Sequence, residues 1–274
     1  MADHREIDLQ FQDTGRAICA HMIDGWLVDP GPSSSLPALL EGLGGERPRG
    51  ILLTHIHLDH AGGTGALLEQ IGELPVYVHE RGARHLVDPS KLLASATRLY
   101  GDQMETLWGT IVPVPLTAIR VLGVQPAPDG FSWAPTPGHA VHHAAFLHGD
   151  SGIAFCGDVA GIRVGDGPIL PPTPPPDIDV DAWHESIATL REWDPWRLAL
   201  THFGTFGDVA ENLDTLEAEL DRLAGLARDV DEATFEAAVR EQLGGASDEA
   251  GYLKAMPPET LYAGLARYWA KLRA

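Results

Sequence analysis

The sequence predicts a mixed α/β fold over residues 1–207 and a helical extension over residues 208–274. Three observations carry this expectation. Short runs of β-type composition alternate with helical patterns as far as Tyr100. From Ile119 to Phe155 the runs become mainly β, separated by Gly, Pro or Asp, and after Gly207 only helical periodicity remains.

Taken in order, Ile7 to Phe11 alternates apolar and polar side chains. Ala17 to Ile23 and Trp26 to Val28 follow as short strands, with Asp24-Gly25 between them as a hairpin signal. Gly31, Pro32 and the serines after them form a loop before a short helix over Leu36 to Leu43, which Gly44-Gly45 ends. Ile51 to Leu53 has the composition of a buried strand, Ala66 to Ile71 of a helix and Val76 to Val78 of a strand. Arg81 to Tyr100 reads as one or two helices broken at Pro89, whose ring removes a backbone donor. Ile119 to Val124, Phe131 to Ala134, Ala144 to Leu147 and Ile153 to Cys156 read as strands. In Gly165 to Pro176 the prolines at 168, 171, 172, 174, 175 and 176 cannot donate ladder hydrogen bonds, so the segment is an extended loop, either a connector or a pocket wall. Asp181 to Trp193 is a helix and Leu198 to Leu200 a last strand.

Beyond them Asp208 is the expected N-cap of a helix with Leu213, Leu216, Leu220 and Leu223 on one face. Asp231 caps a second helix containing Phe235, Val239 and Leu243, and Pro257-Pro258 opens a third. In that third helix Leu261, Tyr262, Leu265, Tyr268, Trp269 and Leu272 make an aromatic stripe, expected to serve as core or as a homodimer contact.

A net charge of −20 makes polyanionic partners unfavourable, so neither nucleic acid nor an anionic membrane face is expected to bind. Hydrophobic residues at 44% and charged ones at 21% suit a water-soluble globule. Cys19 and Cys156 are far apart in sequence, and no disulfide framework is indicated. With no signal-like order in Met1 to Gln10 and no apolar run long enough to span a bilayer, the expected location is the cytoplasm.

The informative segment is Thr54-His55-Ile56-His57-Leu58-Asp59-His60-Ala61-Gly62-Gly63, where the strand Ile51 to Leu53 ends. Three imidazoles and a carboxylate this close together cannot all be buried without a shared compensating partner, and a metal ion supplies one. His139, Asp158 and His202 each follow another expected strand, so the polar groups collect at one set of strand ends. Such a mixture suits a borderline divalent ion that keeps the ability to bind water.

The string His55-x-His57-x-Asp59-His60, followed in order by His139, Asp158 and His202, resembles the metallo-β-lactamase fold superfamily, and the resemblance runs from about residue 7 to 205. It implies an αββα sandwich of two sheets with helices outside and the metals at one edge. It further implies that His55, His57 and His139 hold one ion, that Asp59, His60 and His202 hold a second, and that Asp158 bridges them. Asp29 stands where many members carry an Asp-Thr-Gly loop, here with Pro30 for the threonine, and supports the ligands; His143 is implied to pack beneath the metals, His142 less so. The other histidines, among them His79, His85, His148 and His184, read as surface or capping groups. The strings Asp29 to Ser33, Val78 to Gly82, Asp88 to Lys91 and Thr201 to Gly204 look most like stand-alone hydrolases with a helical C-terminal part, a subgroup that offers no assigned substrate.

The resemblance therefore implies a metal-dependent hydrolase with two divalent ions, zinc first and iron or manganese as substitutes. A metal-bridging hydroxide would cleave a small ester, thioester, lactone or phosphodiester, with Asp59 as the proton-handling residue. Arg84, Lys91, Tyr100 and Arg163 are the candidates for orienting a carboxylate or phosphate on a small-molecule substrate. The competing reading is a mononuclear iron-dependent oxygenase of a persulfide-type substrate built on His55, His139 and Asp158. Flavin-linked diiron members carry a carboxylate where this chain has His57, and a noncatalytic module would have lost ligands that are all present here.

Overall fold

The computed structural model describes residues 3–246 and 248–273; Met1, Ala2, Ser247 and Ala274, which fall in the two ranges assigned above, lie outside the described residues. A first sheet opens with β1 (His4–Asp8), β2 (Cys19–Ile23) and β3 (Trp26–Val28). Helix α1 (Leu36–Leu43) leads to β4 (Gly50–Leu52), and α2 (Leu58–Ala61) and α3 (Thr64–Ile71) lead to β5 (Val76–Val78). Three further helices, α4 (Glu80–Val87), α5 (Ser90–Tyr100) and α6 (Met104–Trp108), precede β6 (Ile119–Val121). The six strands lie in sequence order, antiparallel from β1 to β3 and parallel from there on.

The second sheet contains β7 (Phe131–Pro135), β8 (Ala144–His148), β9 (Ile153–Gly157), β10 (Arg197–Leu200) and β11 (Gly204–Phe206), ordered β11-β10-β9-β8-β7. Helix α7 (Val180–Trp193) carries the chain from β9 to its parallel neighbour β10. Then come α8 (Val209–Asp229), α9 (Glu232–Leu243), α10 (Glu249–Ala255) and α11 (Pro258–Leu272). Among the described residues no helix is long and apolar enough to cross a membrane.

Side-chain alternation along the strands sorts three cores and so stacks four layers. Ile51 points into an outer core with Leu39, Leu67 and Trp108, whereas its neighbour Leu52 points between the sheets toward Trp26, Phe146 and Phe155. In the second sheet Phe155 and Ala199 face inward, while Ala154, Cys156, Leu198 and Leu200 face α7 and the C-terminal helices. The result is a helix, sheet, sheet, helix sandwich, the mixed α/β architecture expected from the sequence.

Several boundaries differ from that expectation, each for a local reason. Strand β1 stops at Asp8 because its carboxylate accepts the N–H groups of Gln10 and Arg16 and turns the chain, so Phe11 lies in a short 3-10 turn and stacks on Trp108. Asp208 does not cap α8 through its side chain; its carboxylate binds Arg163 instead. Asp231 does cap α9, accepting Thr234 N–H at 2.9 Å. The short elements α6, β11 and α10 were not expected at all. Of the aromatic stripe on α11, Leu261, Leu265 and Tyr268 are buried in the core shared by α7, α8 and the second sheet, and Leu272 is exposed.

That helix also braces the proline-rich loop. Gly264 lies so close to Thr173 that an added Cβ would sit 1.9 Å from its carbonyl oxygen, and the Thr173 hydroxyl donates to the Leu261 carbonyl at 2.9 Å. Gly264→Ala should therefore force helix and loop apart, costing about 2 kcal/mol and lowering Tm by roughly 4–8 °C in a thermal unfolding scan. An unchanged Tm would show that this contact is not close-packed.

Candidate metal centre

The candidate ligands come from loops at the C-terminal ends of the strands. Strand β4 runs out into Thr54 and His55; His57 lies at the N-terminus of α2, which carries Asp59 and His60 in its single turn. Strand β9 ends in Gly157, which has φ +48° and touches both Thr54 and His143, leaving no room for a side chain before Asp158. Gly138 at φ +127° packs against the Trp183 backbone and delivers His139, while β10 delivers Thr201 and His202.

Three overlapping groups of ligand atoms result, the third joining His55, His60 and Asp158 across the other two. In the first, His55 Nε2, His57 Nδ1 and His139 Nε2 lie 2.9 to 3.2 Å from one another. Nitrogens bound tetrahedrally to one zinc ion would be about 3.3 Å apart, so the spacing fits. In the second, His60 Nε2 and His202 Nε2 lie 3.7 and 3.4 Å from Asp59 Oδ2. Asp158 stands between the sets, with Oδ1 3.2 Å from His60 Nε2 and Oδ2 3.2 Å from His139 Nε2. His60 Nε2, His202 Nε2 and both Asp158 oxygens are buried without a hydrogen-bond partner. Four such orphans aimed at one point need a compensating group, and a divalent cation is the one their chemistry fits.

The opposite edge of most rings is tied down. His60 Nδ1 donates to Asp29 Oδ2 at 2.8 Å, His139 Nδ1 to the Pro172 carbonyl at 2.8 Å and His202 Nδ1 to the Ala17 carbonyl at 2.7 Å. His55 Nδ1 lies 3.1 Å from Thr54 Oγ1, which itself donates to Asp29. With the proton held on Nδ1, Nε2 of His55 and of His139 presents a lone pair inward, and Nε2 of His60 and His202 does so once it has given up its own proton. His143 accepts the Asp158 backbone N–H at 3.2 Å on Nε2 and faces Thr136 Oγ1 on Nδ1, so it supports Asp158 from beneath.

Electrostatics divide the sets. Burial and the neighbouring imidazoles hold His55 well below the ordinary histidine value and His57 down to about 3, and burial also lowers His139. Burial would lower His60 too, but Asp158, Asp59 and Asp29 outweigh it and hold that imidazole well above its usual value; His202 is raised by Asp158 and Asp59 in the same way. Against the effect of burial, His60 and His202 in turn keep Asp59 down to about 2. A cation at the first set would therefore meet neutral imidazoles, whereas one at the second would displace protons. Uptake of zinc by the metal-free protein at pH 7 should release protons, and apparent affinity should fall as pH is lowered. Titration in a weakly buffered solution with a pH indicator measures the first; no release would contradict the raised His60 and His202.

The ligands open into a cleft of about 1190 Å³ that reaches His57 and Asp59. Arg84, Lys91 and Tyr100 line it as the sequence suggests, and so do Pro174, Pro175 and Pro176, which make the proline-rich loop a wall. Tyr100 stands edge-on to Trp108, and burial, then Asp59, raises its phenol above the usual value, so it stays a hydroxyl donor. Arg163 does not line the cleft. The chain turns at Gly161 and pairs Ile162 with Leu170, sending the guanidinium to Asp208, to Asn212 and over the Phe206 ring. The sequence reading missed the hydroxyls of Thr54, Thr136 and Thr201, although a threonine directly before a ligand in both Thr54-His55 and Thr201-His202 was a usable signal.

Asp29 collects the most contacts. Its carboxylate accepts from Thr54 N and Oγ1, Thr201 Oγ1 and His60 Nδ1. Asp29→Ala should lower metal affinity by roughly 10–100-fold, measured by competition with a chromogenic chelator. Retention of wild-type affinity would show that His60 is oriented by something else.

Residues 24–202 match the family model of the metallo-beta-lactamase superfamily. The chain is 34% identical over 149 residues to a hydroxyacylglutathione hydrolase of Xylella fastidiosa strain M12, a stretch covering 54% of this chain and 45% of that protein. It is 32% identical over 163 residues to a metallo-beta-lactamase fold-containing protein of Sulfurisphaera tokodaii, covering 56% of this chain and 60% of that one. The chain thus spans about half the length of the curated relatives it matches. A crystal structure of an archaeal metallo-beta-lactamase superfamily protein from Sulfolobus tokodaii superposes with TM-score 0.72 at 21% identity, over 97% of this chain and 98% of that one.

Proposed function

The chain belongs to the metallo-beta-lactamase superfamily, and on that premise we propose that it is a hydrolase working with two divalent metal ions, zinc first and iron or manganese as substitutes. The observation that carries this reading is the second ligand set. A centre for a single iron needs only His55, His139 and Asp158, yet Asp59, His60 and His202 also converge, and Asp29 orients His60. That completeness favours the hydrolase over the mononuclear oxygenase.

When bound, the ions would supply Lewis acidity and an ionised water near neutral pH. The chain's own residues do the rest. Asp158 shares its two oxygens between the sets and keeps their spacing fixed. Asp59 faces His60 and His202 through Oδ2 and is also exposed to the cleft. Kept ionised by those imidazoles, it is the group assigned to orient water and hand a proton to the leaving group. Tyr100, Arg84 and Lys91 are assigned to hold the substrate from the cleft wall. Among esters, thioesters, lactones and phosphodiesters, the similarity to hydroxyacylglutathione hydrolase makes an acylated thiol the first to test. We place the enzyme's work on a small molecule, since a chain of charge −20 repels nucleic acid.

Purified enzyme should carry close to two metal atoms per chain by elemental analysis and lose turnover on chelation. Asp158→Ala should reduce metal content and lower turnover by roughly 100-fold or more. A single iron atom per chain, with oxygen consumed on a persulfide, would replace this reading with the oxygenase.

A further inference from the structure

Several arginines of this acidic chain are held by acidic partners. Arg5 pairs with Glu46, Arg16 with Asp248, Arg163 with Asp208, Arg191 with Asp214 and Glu217, and Arg222 with Glu219. The cleft wall built by α4 and α5 carries cations that are not held in this way. Among the described residues no carboxylate lies within ion-pair distance of Arg81, Arg84 or Lys91, although all three line the cleft that reaches Asp59. Arg84 Nε donates to His85 Nε2 at 3.1 Å, and burial, then the charges of Arg84 and Lys91, lower His85 against the opposing charge of Asp88. The acids of the same lining are Glu80 beside Arg81, Asp59 in the ligand set, and Asp177, Glu232 and Glu259 on the side of the proline loop and the C-terminal helices. Glu80 beside Arg81, and Asp88, whose charge acts on Lys91 and His85, offset this wall in part, but none of the three cations is tied to a carboxylate by a direct ion pair, which leaves room for an anion from outside.

Along α5 the same wall becomes apolar. Leu92, Ala96 and Leu99 line the cleft, with Val141 beside the ligands and Leu253 and Met256 on the side of α10. Leu99 and Val141 are 44% and 40% exposed, a large apolar surface to leave in water at the mouth of a polar centre.

We infer that the substrate is an amphiphilic anion, with a carboxylate or phosphate held by Arg81, Arg84 and Lys91 on one side of the labile bond and an apolar chain lying along Leu92, Leu99 and Met256 on the other. This rests on the hydrolase reading for the bond that is cut. One water is consumed; its oxygen bonds to the acyl carbon, the carbon–sulfur or carbon–oxygen bond breaks, and the proton leaves on the departing thiol or alcohol.

The test uses metal-loaded enzyme and thioesters of three thiols: one bearing a carboxylate, its neutral methyl ester, and one bearing a phosphate, each with acyl chains of graded length. We expect kcat/KM to favour the charged thiols by roughly tenfold at low salt and to rise by about threefold per methylene until the trough is filled. The two charged arms identify the headgroup. In the double variant Arg84→Ala, Lys91→Ala the charged-to-neutral ratio should fall toward one at full metal content. A second readout is calorimetry with octanesulfonate against octanol, where the sulfonate should bind about tenfold more tightly and lose that advantage in the double variant. Equal kcat/KM for charged and neutral thiols, with equal affinity for sulfonate and alcohol, would overturn the inference. If no thioester or ester is cleaved, the hydrolase reading fails, and calorimetry alone decides the anion site.

Discussion

The carboxylate of Asp29 is the constraint on which the centre depends. It sits fully buried directly after β3, at φ +49°, a backbone region that aspartate tolerates better than most residues. Its backbone N–H is held by the Leu52 carbonyl, and its two oxygens receive four donors from three separate segments. The ends of β3, β4 and β10 are thereby drawn to one point, and His60 is turned by the same group that anchors Thr54. A buried carboxylate ringed by donors is stable only while every donor is in place, so the loops it joins cannot shift independently.

From this follows an unequal division of labour between the two sets of ligands. His55, His57 and His139 are neutral through burial, and their lone pairs need no preparation. His60 and His202 sit in a field of carboxylates and act as proton holders. Two groups of imidazoles in one fold thus differ in electrostatic character, the difference lying in how many aspartates face each ring.

The convergence of the candidate ligands was legible in the sequence because each follows a strand end with a small or hydroxylated neighbour: Thr54 before His55, Gly138 before His139, Gly157 before Asp158, Thr201 before His202. The order of the layers was also legible, since alternation at Ile51 and Leu52, or Phe155 and Cys156, states which face each residue takes. What sequence adjacency misjudged was direction. Arg163 lies five residues after Asp158 and looked like a neighbour of the site, but Gly161 reverses the chain between them and Asp208, read as a helix cap, captures the guanidinium. Phe11 continued an alternating pattern that Asp8 had already ended through its own hydrogen bonds. Long-range partners such as the Pro172 and Ala17 carbonyls leave no mark on the residues that use them.

The brace between α11 and the proline-rich loop bears on the order of assembly. Thr173 is fastened to Leu261, 88 positions further along, and the adjoining Pro172 carbonyl sets the angle of His139. A chain emerging from the ribosome therefore displays all its ligands well before the strut that aligns one of them has been synthesised. The helix made last is thus the one that braces the carbonyl orienting His139.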